Sequence, residues 1–547
     1  MKWSELELQS FRSHRSPVLG RRGMCASSQP LASAVGVSIL NAGGSAADAG
    51  VAMAAALNVT EPTSTGLGGD MFALYYQVSD RRVYALNGSG RAPAALSLAR
   101  LQAEGLGATL PPAHPYTITV PGACAGWVDL LARFGRLPLP VVLAPAIELA
   151  ESGFPTAPIT AYFWERAAAN LLARALNGRE MTIEGRAPQP GEIFRNPGLA
   201  RTLRAIAEGG KAAYYEGEIA RAIAAIVTEA GGCLTEADLA GHTSTWVEPI
   251  SVEYQGLRIW ECPPNGQGLA ALIALNLIKG FDLSGMDPLG TQRMHLQIEA
   301  MRLAFADAFR FIADPAFSTI PLAGLLSDEY AAERRKWIDP QAALPQVEHG
   351  TPPAVSDTVY FCAVDETGNA CSFIASNYMG FGTGIVPRGW GFTLQNRGHN
   401  FSLDPSSPNA LAPGKRPYHT IIPAMATHSG SGELHGPFGV MGGFMQPQGH
   451  LQVVIGMQND QLDPQAALDR PRFCLTPNGT HPQIALEEGI PPQTIARLVE
   501  MGHPVDIVSG MARAMFGRGQ IILRNPHTGV LCAGSDPRAD GCAIPQV

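Results

Sequence analysis

Residues 356–384 read SDTVYFCAVDETGNACSFIASNYMGFGTG, and the fold is decided by this stretch. From Val359 to Val364 the residues are mostly β-branched or aromatic, which predicts a strand. Glu366-Thr367-Gly368-Asn369 is a turn cluster, and residues 370–376 read as the returning strand. If Asp365 faces Ala370, antiparallel pairing sets Thr358 opposite Asn377, with Ser376 one step diagonal. A single β-bulge shifts that register by one residue. Opposed side chains in such a pair sit about 4.5–5.5 Å apart at Cβ. Thr358 is therefore expected among the hydroxyl of Ser376, the amide of Asn377 and the phenol of Tyr378. Taken alone, the stretch also fits an ordinary hairpin with polar tips.

The chain around it has 547 residues, enough for several domains or one large composite core. It is 46% hydrophobic and 16% charged, which is a globular composition. A net charge of −8 excludes a basic nucleic-acid footprint. The most apolar window, residues 46–59, is short and holds Asp48, so a buried helix is expected there rather than a membrane span. Acidic residues interrupt residues 1–7, which predicts no signal peptide. Nine scattered cysteines form no CxxC pair, and a reduced, cytoplasmic protein is expected. His295 and Glu299 stand four apart on a predicted helix. With no second histidine nearby, and with Arg302, Asp307 and Arg310 around them, ion pairs are expected and no metal or other cofactor. Long helical stretches with several hairpins and no regular βαβ alternation argue an α+β fold.

An Asp-Thr step opening a strand, then Val364-Asp365 with Gly368-Asn369-Ala370, then Phe381-Gly382-Thr383-Gly384, resembles the γ-glutamyltransferase (glutathione hydrolase) family of N-terminal nucleophile hydrolases. The likeness runs through nearly the whole chain, including residues 23–59, residues 205–239 and the loop 263–268. It implies a four-layer αββα sandwich and a precursor that cuts itself between Asp357 and Thr358. The products would be residues 1–357 and residues 358–547, a large and a small subunit of one composite core, with a dimer of such heterodimers as the candidate assembly. Thr358 becomes the nucleophile, and Ser376 orients it. Val440-Met441-Gly442-Gly443 resembles the family's oxyanion loop, which assigns the backbone N–H groups of Gly442 and Gly443 to the oxyanion.

The substrate anchors depart from the family pattern. Ser89 stands where the family carries a carboxylate-binding arginine, and Arg91 follows two residues later. Either Arg91 reaches the same place through a flexible loop, or the acyl group is not γ-glutamyl, because a hydroxyl cannot replace an arginine fork. Asn400 replaces the acid that binds an α-amino group, and Arg397 stands where a neutral glutamine is usual. His419 and Thr420 replace two carboxylate-binding serines. These changes favour a more anionic, or non-amino-acid, acyl group. Asn377 and Tyr378 complete the expected substrate-binding set.

The resemblance thus implies a self-processing amidohydrolase or acyltransferase working through an acyl-Thr358 intermediate on a small-molecule amide, with water, an amine or a peptide as acceptor. Glutathione or γ-glutamyl hydrolysis or transfer is the family default. Oxamate-type and glutaryl (cephalosporin-type) donors are the alternatives, and an uncut, non-enzymatic binding homologue is the reading from another class.

Overall fold

A computed structural model describes residues 15–107, 110–345, 357–476 and 483–547, with Asp357 described in its backbone only. The expected linker 341–356 lies outside the described residues from 346 onward, as does the N-terminal segment 1–7.

The strand Asp357–Val364 pairs on one side with Ala370–Tyr378 and on the other with Met24–Ser27. Asp70–Gln77, Arg82–Gly88 and Thr245–Val247 extend this sheet one way, and Cys542–Pro545 closes it at the other, giving seven strands. A second seven-stranded sheet runs Val18–Gly20, Leu531–Ser535, Arg518–Arg524, Leu434–Met441, Ala424–His428, Leu257–Glu261, Ile250–Tyr254. The two stack face to face. Gly439 lies under the Tyr360 ring, and a Cβ there would come within 2.5 Å of it. Residues 358–364 are buried on both faces, which is why they read as a continuous apolar run rather than an alternating one.

Helices close both outer faces. Pro30–Asn41 and Ala46–Thr60 pack on the first sheet, as expected for residues 23–59. The small residues in these helices allow close approach: Gly36 sits against Cys25 and Met53, and Gly50 against Cys371 and Phe373. Ser45 and Asp48 form a capping box that starts the second helix, and Thr235 with Asp238 forms the one expected from the sequence. Gly268–Ile278, Thr291–Phe311 and Met445–Gln458 cover the second sheet. The result is the four-layer αββα sandwich. All nine cysteines are free. No helix among the described residues is long and apolar enough to cross a membrane.

The hairpin register differs from the expectation by one. Val364, not Asp365, faces Ala370, and the shift is recovered at a bulge between Asp357 and Val359. The cause is the turn. Asp365 Oδ1 accepts the N–H groups of Thr367 and Asn369, which draws Asp365 out of the ladder and into the loop.

Candidate active site

The bulge places Thr358 between two ladder positions, fully buried, with its Oγ1 donating to Ser376 Oγ at 3.2 Å. Ser376 Oγ also accepts the Tyr378 N–H at 2.8 Å. Tyr378 has φ 76°, a turn that ends the strand and separates its neighbours. Asn377 points elsewhere than expected. Its Nδ2 donates to Thr393 Oγ1, and its amide packs against Gly66 and Gly69, where any Cβ would crowd it. It braces the glycine-rich loop rather than joining Thr358.

Ser376 pairs across the sheet with Asp70. Asp70 is wholly buried, and its Oδ1 accepts the N–H groups of Gly90 and Gly122 and the amide of Gln395. Its Oδ2 is 3.0 Å from His419 Nε2. Burial alone would raise this carboxyl, but the His419 hydrogen bond, the Arg397 charge and Gln395 hold it below the usual range. His419 Nδ1 accepts the Ile421 N–H, so the ring proton sits on Nε2 and is given to Asp70. Burial and the Arg397 charge push His419 down to about 3, which keeps it neutral. Both ring nitrogens are therefore committed.

The hydroxyl of Ser89 is likewise engaged inside the protein. It donates to Asn87 Oδ1 at 2.7 Å and accepts from Asn265, and the residue has no exposure. Arg91 is half-buried, and its guanidinium makes no hydrogen bond or ion pair with the described residues. Beneath the same loop, Arg416 donates to the Ser89 carbonyl and to Thr245. Sequence reasoning gave no role to Asp70, Gln395 or Gln267. The Gly-Gly-Asp step opening a buried strand was the only signal for the first, and none pointed to the other two.

Arg397 has no exposure at all. One nitrogen, Nη1, donates to Thr420 Oγ1 at 2.7 Å, and the guanidinium stacks 4.5 Å from the Tyr378 ring centroid. Its Nε and Nη2 are buried without a partner. Burial lowers it to about 10, so it stays cationic at neutral pH. Asn400 gives its Nδ2 to the Tyr418 carbonyl and keeps a buried, unpartnered Oδ1. Gly442 and Gly443 leave the strand Leu434–Met441 with φ 133° and 59°. Their carbonyls accept Met445, Gln446 and Gln267, while neither N–H donates to any described residue. They stand at the N-terminus of the 14-residue helix Met445–Gln458, whose dipole favours negative charge. A buried hydroxyl, an arginine with spare donors and two amide N–H groups unused among the described residues are groups of the kind that acyl transfer employs.

The family described as gamma-glutamyltranspeptidase matches residues 32–546. The chain belongs to the γ-glutamyltranspeptidase family. The enzyme class expected from the sequence is borne out, and the reading as a non-enzymatic binder loses its ground. Among its relatives in the family is the glutathione hydrolase-like YwrD proenzyme of Bacillus subtilis, 35% identical and covering 96% of this chain and 99% of that one. The oxamate amidohydrolase proenzyme of Klebsiella pneumoniae is also 35% identical, over 95% and 98%. The solved cephalosporin acylase from Bacillus halodurans is 46% identical with a TM-score of 0.90, covering 98% of both chains.

The buried imidazoles of this γ-glutamyltranspeptidase-family chain fix a direction of pH dependence. Burial first, and in each case nearby arginine charge, holds His242 to about 4 and His419 and His503 to about 3. An unfolded histidine titrates near about 6.5. The unfolded chain thus binds more protons below that value. The stability these rings carry is complete above about pH 6.5 and is lost as pH falls toward 3. Urea unfolding between pH 6 and 4.5 is expected to show a shallower pH slope in His419→Gln than in the parent, by up to about 1.4 kcal/mol per pH unit. An unchanged slope would count against a neutral His419.

Proposed function

We propose that the chain is a self-processing amidohydrolase whose nucleophile is Thr358. Thr358 Oγ attacks the carbonyl carbon of Asp357, the peptide bond shifts to an ester, and water opens the ester. This leaves a carboxylate on Asp357 and a free α-amino group on Thr358. Ser376 at 3.2 Å supports the hydroxyl's orientation. An α-amine titrates near about 7.7–8.0, so roughly a tenth is neutral base at pH 7. It takes the hydroxyl proton as Oγ attacks the substrate amide. The N–H groups of Gly442 and Gly443 receive the oxyanion, one such donor being worth about 2.7–4 kcal/mol. The leaving amine takes a proton and departs, and water or an amine then frees the acyl group from Thr358.

The observation that carries the choice of acyl group is Arg397, with two buried N–H-bearing nitrogens lacking a partner. A guanidinium fork takes a carboxylate bidentately. Nothing in this set matches an ammonium with a charge, since Asn400 offers only an amide oxygen. Acyl groups that end in a carboxylate without an α-amino group, as in glutaryl amides and in oxamate (the amide of an oxalyl group), therefore rank above γ-glutamyl. γ-Glutamyl donors keep the carboxylate and remain the second reading, supported by the glutathione hydrolase-like relative. The nine free cysteines suit a reducing compartment.

The test is a panel of γ-glutamyl amides, glutaryl amides and oxamate, assayed by kcat/KM with matured protein. Glutaryl amides or oxamate are expected to lead by about tenfold or more, the scale of one unmatched ammonium. A γ-glutamyl compound at the head of the panel would sink the ranking and leave the nucleophile untouched.

A further inference from the structure

The helix Ala46–Thr60 ends at a glutamate that is cut off from water. Glu61 is only 1% exposed. Its Oε2 accepts the Ser28 hydroxyl, and its Oε1 accepts the Ser64 hydroxyl at 3.1 Å. Arg518, also buried, brings Nη1 to 3.4 Å from the same Oε1. Its guanidinium lies 5.4 Å from the Phe163 ring centroid. Asp540 is a second negative charge close to Glu61, and its carboxylate accepts the N–H groups of Ile159 and Thr160.

This ion pair joins two parts of the site that lie far apart in the chain. Just after Glu61, the Thr63 and Ser64 carbonyls accept the N–H groups of Phe381 and Asn377 at 3.1 and 3.3 Å. Asn377 follows Ser376, the hydrogen-bond partner of Thr358. Arg518 stands in the second sheet opposite Met441, the residue before Gly442. Gly517 backs that loop so closely that a Cβ on Gly442 would lie 3.2 Å from the Gly517 Cα. One end of the pair is thus fixed to the strand end beside Thr358, and the other to the root of the Gly442-Gly443 loop. Stability alone does not call for such a pair, since packed apolar side chains of similar volume do as well or better. A glycine loop is free to shift, and a charged bridge at its root restricts that freedom.

We propose that Glu61 and Arg518 are positioning residues, an ion pair that sets the distance between the Thr358 hydroxyl and the N–H groups of Gly442 and Gly443. This role rests on Thr358 being the nucleophile and on that loop holding the oxyanion. Oxyanion donors act from about 2.7–3.1 Å. A misplacement of about 1 Å costs about 100-fold in rate. Burial raises the Glu61 carboxyl to about 7, against the pull of the Arg518 charge and the Ser28 hydroxyl. The pair is therefore mostly ionic at pH 8, whereas at pH 6 Glu61 mostly holds a proton. Protonation removes the attraction that keeps Arg518, and with it the root of the loop, in place.

The test compares Glu61→Gln, Arg518→Met and the double variant with the parent, all as matured full protein, on a glutaryl amide. Each single variant is expected to lose about tenfold or more in kcat at pH 8. Inhibition by glutarate, which reports on Arg397 instead, should stay within about twofold. The double variant should lose no more than the worse single one, because either change already breaks the pair. The ratio of parent to Glu61→Gln kcat should shrink about fivefold or more from pH 8 to pH 6, as the parent's carboxylate takes up its proton. The Thr358 amine titrates in both proteins and cancels in that ratio. A structural Glu61 would give a ratio that does not move with pH. Should Glu61→Gln stay uncut or unfolded, Arg518→Lys against Arg518→Met decides, with lysine expected to recover kcat to within about threefold of the parent. Single variants within about twofold of the parent, additive losses in the double variant, a pH-independent ratio, or no recovery by lysine overturns the proposal. Activity in Thr358→Ala would instead sink the assignment of the nucleophile.

Discussion

Thr358→Ala is expected to remain a single 547-residue chain and to lose amide hydrolysis by about 10⁴-fold or more, the scale seen when a nucleophile acting as one unit with its base is removed. Both losses have one cause. The same oxygen opens the backbone and later carries the acyl group, and the base for the second step exists only after the first. The variant should still fold. Ser376 Oγ keeps the Tyr378 N–H, and Asp70 keeps its four partners, because none of them uses the Thr358 hydroxyl. A melting temperature close to the parent's, with one band on denaturing electrophoresis and no turnover, is the expected set. Thr358→Ser keeps the oxygen and loses a buried methyl, so it should be cut and active, at a reduced rate. Intact parent protein that turns over substrate, or an active Thr358→Ala, would end the account.

The central hairpin was legible because its strands are buried on both faces, whereas the four-layer sandwich was implied only by the family resemblance. A run such as Val359 to Val364, bounded by turn residues, has few other physical homes. The register was legible only to within one residue. Pairing by counting assumes that Asp365 belongs to the ladder, whereas its carboxylate caps the turn. Side-chain roles were harder still. Ser89 has the right hydroxyl for an anchor, yet Asn87 two residues away captures it, and a linear pattern does not reveal which neighbour wins. His419 reads as a pocket residue until Asp70, far earlier in the chain, is brought 3.0 Å away. Arg397 is the opposite case. Its identity was noticed, but arginine is rarely fully buried, and only the packed structure reveals that two of its nitrogens lack partners.

Those two nitrogens make Arg397→Met the second decisive substitution. Methionine retains the length and much of the apolar stem, so the Tyr378 ring keeps a neighbour, while Thr420 Oγ1 loses the donor that Arg397 gave it. What disappears is the charge and the fork. Removing one partner of a desolvated charge pair costs about 2–5 kcal/mol, or about 30- to 4,000-fold. The kcat/KM for glutaryl amides or oxamate is expected to fall by that factor, chiefly through KM, because the carboxylate is held before and during the attack alike. A neutral acyl amide should change less than about threefold, since it offers Arg397 nothing to bind. Stability should move the other way. A buried guanidinium with unsatisfied donors is a burden on the empty protein, and exchanging buried charge for a packed apolar side chain is often stabilising by about 1–4 kcal/mol. A merely structural arginine would behave differently, because its loss would lower the melting temperature and weaken every donor equally. Arg397→Met that melts lower than the parent and loses charged and neutral donors alike would remove the carboxylate-binding role, and with it the reason to rank glutaryl and oxalyl groups above γ-glutamyl.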